Sequence, residues 1–119
     1  MGGINPETTT QNGVTVVRLG DGCDAIDEGN VEEVNAFLLE LAQSADPPTI
    51  VIDLSRITFF ASSFIEVLFR VWNRLNRRQG HFALCGLTQY CGEVIHVSRL
   101  DTLWDLYPDA ASAVSALEA

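Results

Sequence analysis

Ser62 and Ser63 stand at a strand-to-helix junction, after the segment Ser55 to Phe60 and Ala61 and just before a helical pattern that begins at Phe64. At such a junction serine hydroxyls lie at the positive end of a helix, beside N–H groups without intrahelical acceptors, where an oxyanion is stabilised. Two roles suit the pair. A phosphoryl group on Ser63 would be tolerated there and would add about -1.5 to -2 of charge to a docking face. Equally, Ser63 can cap the helix, with Glu66 three residues later completing a capping box.

Other groups with chemical potential read more simply. Arg70, Arg74, Arg77 and Arg78 fall in the last half of one helical segment. There they complement the helix dipole or present a surface to an acidic partner. Asp21, Asp24, Asp27 and Glu28 share a loop with glycines, but without the alternating ligand spacing of an EF-hand, so the loop is expected to be solvated. His81 and His96 are far apart, and Cys85 and Cys91 lack a metal-binding gap. Cys85 sits in an apolar run and is expected in the core. Ala61-Ser62-Ser63-Phe64 has neither glycine of a nucleophile elbow, and Gly20-Asp21-Gly22 and Gly86 make no dinucleotide fingerprint. The residues therefore point to a protein-binding module, with no enzyme activity, metal or cofactor expected.

Composition narrows the partners. The 119 residues carry a formal net charge of -9, and all seven basic residues are arginines. The absence of lysine removes Schiff-base chemistry and a phosphate-loop lysine, and the negative field disfavours nucleic acid and anionic membranes. Cys23, Cys85 and Cys91 are odd in number and show no disulfide framework. No stretch approaches the roughly 18 apolar residues of a membrane span, and Met1 to Gln11 does not resemble a secretory signal. A cytoplasmic protein is expected.

The elements that must position Ser62 and Ser63 follow from periodicity. Residues 1–12 read as a polar leader to a single domain covering 1–119, with a turn at Asn12-Gly13 before a strand at Val14–Leu19. Asn30, with Glu33 three residues on, is placed to cap a helix whose Val31, Val34, Leu38 and Leu41, widened by Phe37, form one apolar face. Thr49–Leu54 is the near-continuous β-branched run expected of a central strand covered on both sides. A second helix, Phe64 to about Arg78, places Ile65, Leu68, Phe69, Trp72 and Leu75 for burial and stops at Gly80. A strand at His81–Gly86, a helix capped by Thr88 over Gln89–Val97, a short edge strand at Leu103–Tyr107 and a helix from Pro108-Asp109 through Leu117 complete the chain. This alternation predicts an α/β fold with a largely parallel sheet of four to five strands and about four helices.

The strand Ile50 to Leu54, the junction Ile57 to Ser63, the arginine-rich helix and the strand His81 to Gly86 together resemble a STAS domain, the module of sulfate transporters and anti-sigma factor antagonists. The likeness spans about Val14 to Leu117. It is most specific over Val51-Ile52-Asp53-Leu54-Ser55-Arg56-Ile57-Thr58-Phe59, with Leu100-Asp101-Thr102-Leu103-Trp104 and Tyr107-Pro108 also similar. The resemblance implies a SpoIIAA-like fold and a regulatory module that binds an anti-sigma factor acting also as a serine kinase, with a phosphatase as a further partner. In such regulators the lead-in is followed by Asp-Ser-Ser-Gly or Asp-Ser-Thr-Gly, whose third residue is phosphorylated. Carried over, the phosphoacceptor is Ser63, with Ser62 the second choice, and the docking face comprises Asp21, Asp24, Asp27, Ser62, Ser63 and Phe64. Ala61 replaces the motif aspartate and Phe64 the motif glycine. Phe64 is then either a docking hydrophobe or a shield over Ser63. The second case corresponds to an unswitched STAS scaffold, in a sensory complex or as the accessory of a transporter.

Overall fold

Four of the five residues of Thr49–Asp53 are β-branched, a shape that packs well on a pleated surface, and all five are buried in the structure, a computed structural model that describes residues 6–20 and 23–118. In chain order the strands are β1 (Glu7–Gln11), β2 (Val14–Arg18), β3 (Ala25–Ile26), β4 (Thr49–Asp53), β5 (Phe59–Phe60), β6 (His81–Cys85) and β7 (Asp105–Tyr107). The helices are α1 (Val31–Ser44), α2 (Ser62–Arg77), α3 (Gln89–Val97) and α4 (Ala110–Leu117). The described residues form a five-stranded sheet in the order β1-β2-β4-β6-β7, with β4 in its middle, and a separate pair, β3-β5. All pairings are parallel except β1 with β2, so the sheet is mixed and mostly parallel.

Alternation along the strands divides the core. Val17, Ile50, Ile52, Phe82 and Leu84 pack under α1, α2 and α3. Val14, Val16, Val51, Ala83 and Cys85 face the other side, where α4 supplies Ala113 and Val114. The smaller side chains on this second face suit the single short helix that covers it. Asp109 caps α4, its Oδ1 accepting the Ser112 amide at 2.8 Å, and these bonds hold its carboxyl below the usual range.

Several expectations need correction. Residues 1–5 of the polar leader lie outside the described residues, but Glu7–Gln11 forms the exposed edge strand β1. Its threonine run is β-branched, and Asn12 and Gly13 take the two positive φ values, 52° and 83°, that a tight hairpin requires. The buried stripe of α2 is Phe64, Val67, Leu68, Val71 and Leu75, rotated from the predicted one, leaving Ile65, Phe69 and Trp72 half-buried. That helix packs against α1 as well as the sheet, so its core face is set by two neighbours. Asn30 and Thr88 occupy cap positions without capping through their side chains: Asn30 Nδ2 donates to the Ala25 carbonyl at 2.9 Å and Thr88 Oγ1 to the Ile57 carbonyl at 2.7 Å. The last edge strand begins only at Asp105, because Leu100–Thr102 forms a 3-10 turn. At Gly80, any Cβ would overlap the Pro48 carbonyl, which accepts the His81 amide at 2.9 Å. Glycine there lets β4 and β6 start side by side.

Candidate functional site

The short pair β3-β5 places the acidic loop beside the two serines. Ala25 pairs with Phe59 and Ile26 with Phe60. The Thr58 amide donates to the Asp24 carbonyl and the Ala61 amide to the Ile26 carbonyl, both at 2.8 Å. Ile26 and Phe60 are buried and anchor the pair to the core. Beyond Ile26 the chain turns back on itself: the Asp27 amide donates to Asn30 Oδ1 at 3.0 Å, and the Gly29 amide to Asp27 Oδ1 at 2.8 Å. Glu28 projects from this turn, and its Oε1 accepts the Ser63 hydroxyl at 2.7 Å.

Ser62 is the first residue of α2 and is exposed; Ser63 is the second and is half-buried. Neither serves as the cap. Ala61 holds that position with φ -80° and ψ 162°, and no side chain caps the helix. The predicted box between Ser63 and Glu66 therefore does not form, and Glu66 lies 3.6 Å from Arg70 instead. In the first turn the Phe64 amide donates to the Ala61 carbonyl at 2.9 Å, while the Ser62 and Ser63 N–H groups have no intrahelical acceptors, so the helix end favours negative charge beside the serine hydroxyls. Replacing Ala61 by aspartate, the residue of the family motif, should give α2 the missing side-chain cap and raise stability by about 1 kcal/mol. A lowered urea midpoint for Ala61→Asp would contradict this.

Phe64 faces the core, with no exposed surface, its ring centroid 5.4 Å from that of Phe60. It is neither a docking hydrophobe nor a cover over Ser63, because position 64 lies on the same helical stripe as the buried Val67, Leu68, Val71 and Leu75. Asp24 and Asp27 are exposed on the rim of the site, Asp24 Oδ2 accepting the Thr58 hydroxyl at 3.2 Å. Asp21 lies outside the described residues. The structure thus brings Asp24, Asp27, Ser62 and Ser63 together and adds Glu28. Glu28 was legible only as one acid of a loop, since nothing in its local spacing links it to a serine 35 residues away.

The remaining candidates lie elsewhere. Arg70 Nη1 donates to Asn35 Oδ1 at 3.1 Å, Arg74 Nη1 to Gln43 Oε1 at 2.9 Å and Arg78 Nη1 to the Ala42 carbonyl at 2.9 Å. These arginines tie α2 to α1. Burial, with Asp53 and Asp109 nearby, pushes the Cys85 thiol up to about 12, which leaves no thiolate near neutral pH. His81 and Cys85 mark opposite ends of β6, roughly 13 Å apart at the usual strand rise. Among the described residues no group of three histidine, cysteine or acidic side chains is placed to hold a metal.

A family model for the STAS domain matches residues 5–113. Among solved structures, an anti-sigma-factor antagonist (STAS) domain protein from Planctomyces limnophilus is 36% identical, with a TM-score of 0.88 over 96% of this chain and 98% of that one. An anti-sigma factor antagonist from Mycobacterium paratuberculosis is 24% identical, with a TM-score of 0.82 over 97% of this chain and 94% of that one. The inward-facing murine solute carrier 26 anion transporter shares the fold at 13% identity and a TM-score of 0.73, the match covering 92% of this chain and 18% of the transporter. No curated protein sequence matches the chain.

Proposed function

The chain belongs to the STAS domain family, and from that membership we propose that it is a regulatory module of the anti-sigma factor antagonist kind. It captures a cytoplasmic anti-sigma factor that is also a serine kinase, using the face formed by Ser62, Ser63 and the loop Asp24–Glu28. Phosphorylation of Ser63 by that partner releases the complex. The observation that carries this reading is the 2.7 Å bond from the Ser63 hydroxyl to Glu28 at the open end of α2. It holds the hydroxyl at the site's rim, and it supplies a carboxylate from the loop where the family motif has one at the position of Ala61. The inward Phe64 ring also leaves the hydroxyl uncovered.

The module itself performs no chemistry in this reading; the phosphoryl group comes from the partner's nucleotide and goes to Ser63 Oγ as its proton leaves. Affinity purification from the native host, with phosphosite mapping of the recovered protein, tests it. Co-purification of a serine-kinase anti-sigma factor with phosphate on Ser63 is the expected result. An unphosphorylated Ser63 in a sensory or transport complex would instead favour the scaffold reading, which draws on Ala61 and on the fold shared with the anion transporter. Among the described residues no helix is long and apolar enough to cross a membrane.

A further inference from the structure

We propose that the outward face of α3, together with the Thr58–Phe59 edge, is a docking groove for an amphipathic helix of the partner protein, one with apolar side chains a turn apart and a lysine or arginine beside them. This rests on the partner-binding reading above and adds where a second part of that partner sits and what chemistry it carries. The large hydrophobic residues exposed among the described ones are Phe59, Tyr90, Val97 and Leu103. The first three gather on one surface. The Phe59 and Tyr90 rings lie 5.4 Å apart, and Tyr90, Val94 and Val97 recur at four- and three-residue spacing along the outer side of α3. The inner side of the same helix is already apolar through the buried Cys91 and Ile95. A helix apolar on both faces in a small domain has a second surface to cover.

The groove has shape and charge. A depression of about 270 Å³ is lined by Tyr90, Glu93, Val94, Val97 and Ser98. It adjoins another of about 420 Å³ lined by Thr58, Thr88, Gln89, Tyr90 and Glu93. From Tyr90 to Val97 α3 runs about 10 Å, which matches two turns of a docked helix. Glu93 belongs to both depressions, is exposed, and has no hydrogen bond or ion pair among the described residues. At the Thr58 end the hydroxyl bond to Asp24 joins the groove to the acidic rim of the Ser63 site. At the far end His96 is paired with Asp101 at 3.0 Å, and Arg99 lies beyond the helix. The basic side chain of the partner therefore belongs beside Glu93 and Asp24, with its apolar residues on Tyr90, Val94 and Val97.

Benzoylphenylalanine placed at Val97, and separately at Ser62, in the full chain expressed in its native host tests the proposal by photo-crosslinking. The expected result is that both positions capture the same protein, and that the peptide joined to position 97 carries lysine or arginine within one helical turn of the crosslinked residue. Capture from position 62 alone overturns the groove and leaves the Ser63 reading standing. Capture from neither position overturns both. A second copy of this chain, or a peptide without a basic residue, at position 97 overturns the assigned occupant. Val97 is 79% exposed, so Val97→Glu should keep the native circular dichroism spectrum while lowering affinity for the captured partner at least about tenfold, as should Glu93→Lys. Unchanged affinity in both variants would overturn the proposal.

Discussion

Ser63→Asp is expected to weaken capture of the partner by roughly 100-fold, about 2.7 kcal/mol, when titrated calorimetrically against the purified anti-sigma factor. In the unmodified chain Ser63 donates to Glu28 at 2.7 Å. A carboxylate or phosphoryl group at position 63 removes that donor and sets like charges about 4 Å apart, costing about 1 kcal/mol in bulk water and about 4 kcal/mol at a protein surface. The N-terminus of α2 returns about 0.3–1 kcal/mol of this. Repulsion exceeds compensation, so Glu28 swings away from the serine. The rim that meets the partner then differs in charge and in shape. Ser63→Ala adds no charge and should stay within a few-fold of wild type. Combining Glu28→Gln with Ser63→Asp separates the two contributions, because recovery of affinity assigns the loss to repulsion within the site. An affinity for Ser63→Asp equal to wild type would refute the switch.

Phe64→Gly, which installs the glycine of the family motif, is expected to destabilise the fold by about 4–6 kcal/mol: about 3–5 for removing a buried phenylalanine and about 1 for glycine in a helix. Phe64 has no exposed surface and packs on Phe60 among Val67, Leu68 and Ile26 in the core beneath α2. The loss is a large part of the roughly 5–15 kcal/mol that holds a domain together, so the variant should be partly unfolded in urea denaturation where wild type is intact. A loss under about 1 kcal/mol would show that the site collapses around the missing ring. The two departures from the motif thus differ in kind. Ala61 can accept aspartate because it sits half-buried at an uncapped helix start, whereas Phe64 has become part of the core.

Much of the fold was legible because its signals are local. The run Thr49–Asp53 marked the central strand through β-branching, and Gly80 marked the end of α2 as a helix-stop glycine, although the left-handed residue there is Gln79 with φ 59°. α3 falls on the predicted range Gln89–Val97. The strands β3 and β5 were missed because two residues carry no period, and β1 because an edge strand exposed at every position shows no alternation. The capping roles of Asn30, Ser63 and Thr88 failed for one reason: each side chain found a partner on another segment.

By itself the sequence determined the α/β alternation, the family resemblance, the placing of Ser62 and Ser63 at a helix start, and an acidic, lysine-free character that disfavours anionic partners. Each of these rests on residue type or on spacing within one element, where backbone geometry ties neighbours together. Tertiary structure alone decided that Glu28 holds Ser63, that Phe64 turns inward, that three of the clustered arginines bind α1, and that Phe59 meets Tyr90 on an open face. These contacts join residues about 31 to 36 positions apart, brought together by strand pairing and helix packing. No local period encodes such a contact, because which side chains meet depends on register and on how two elements rotate against each other.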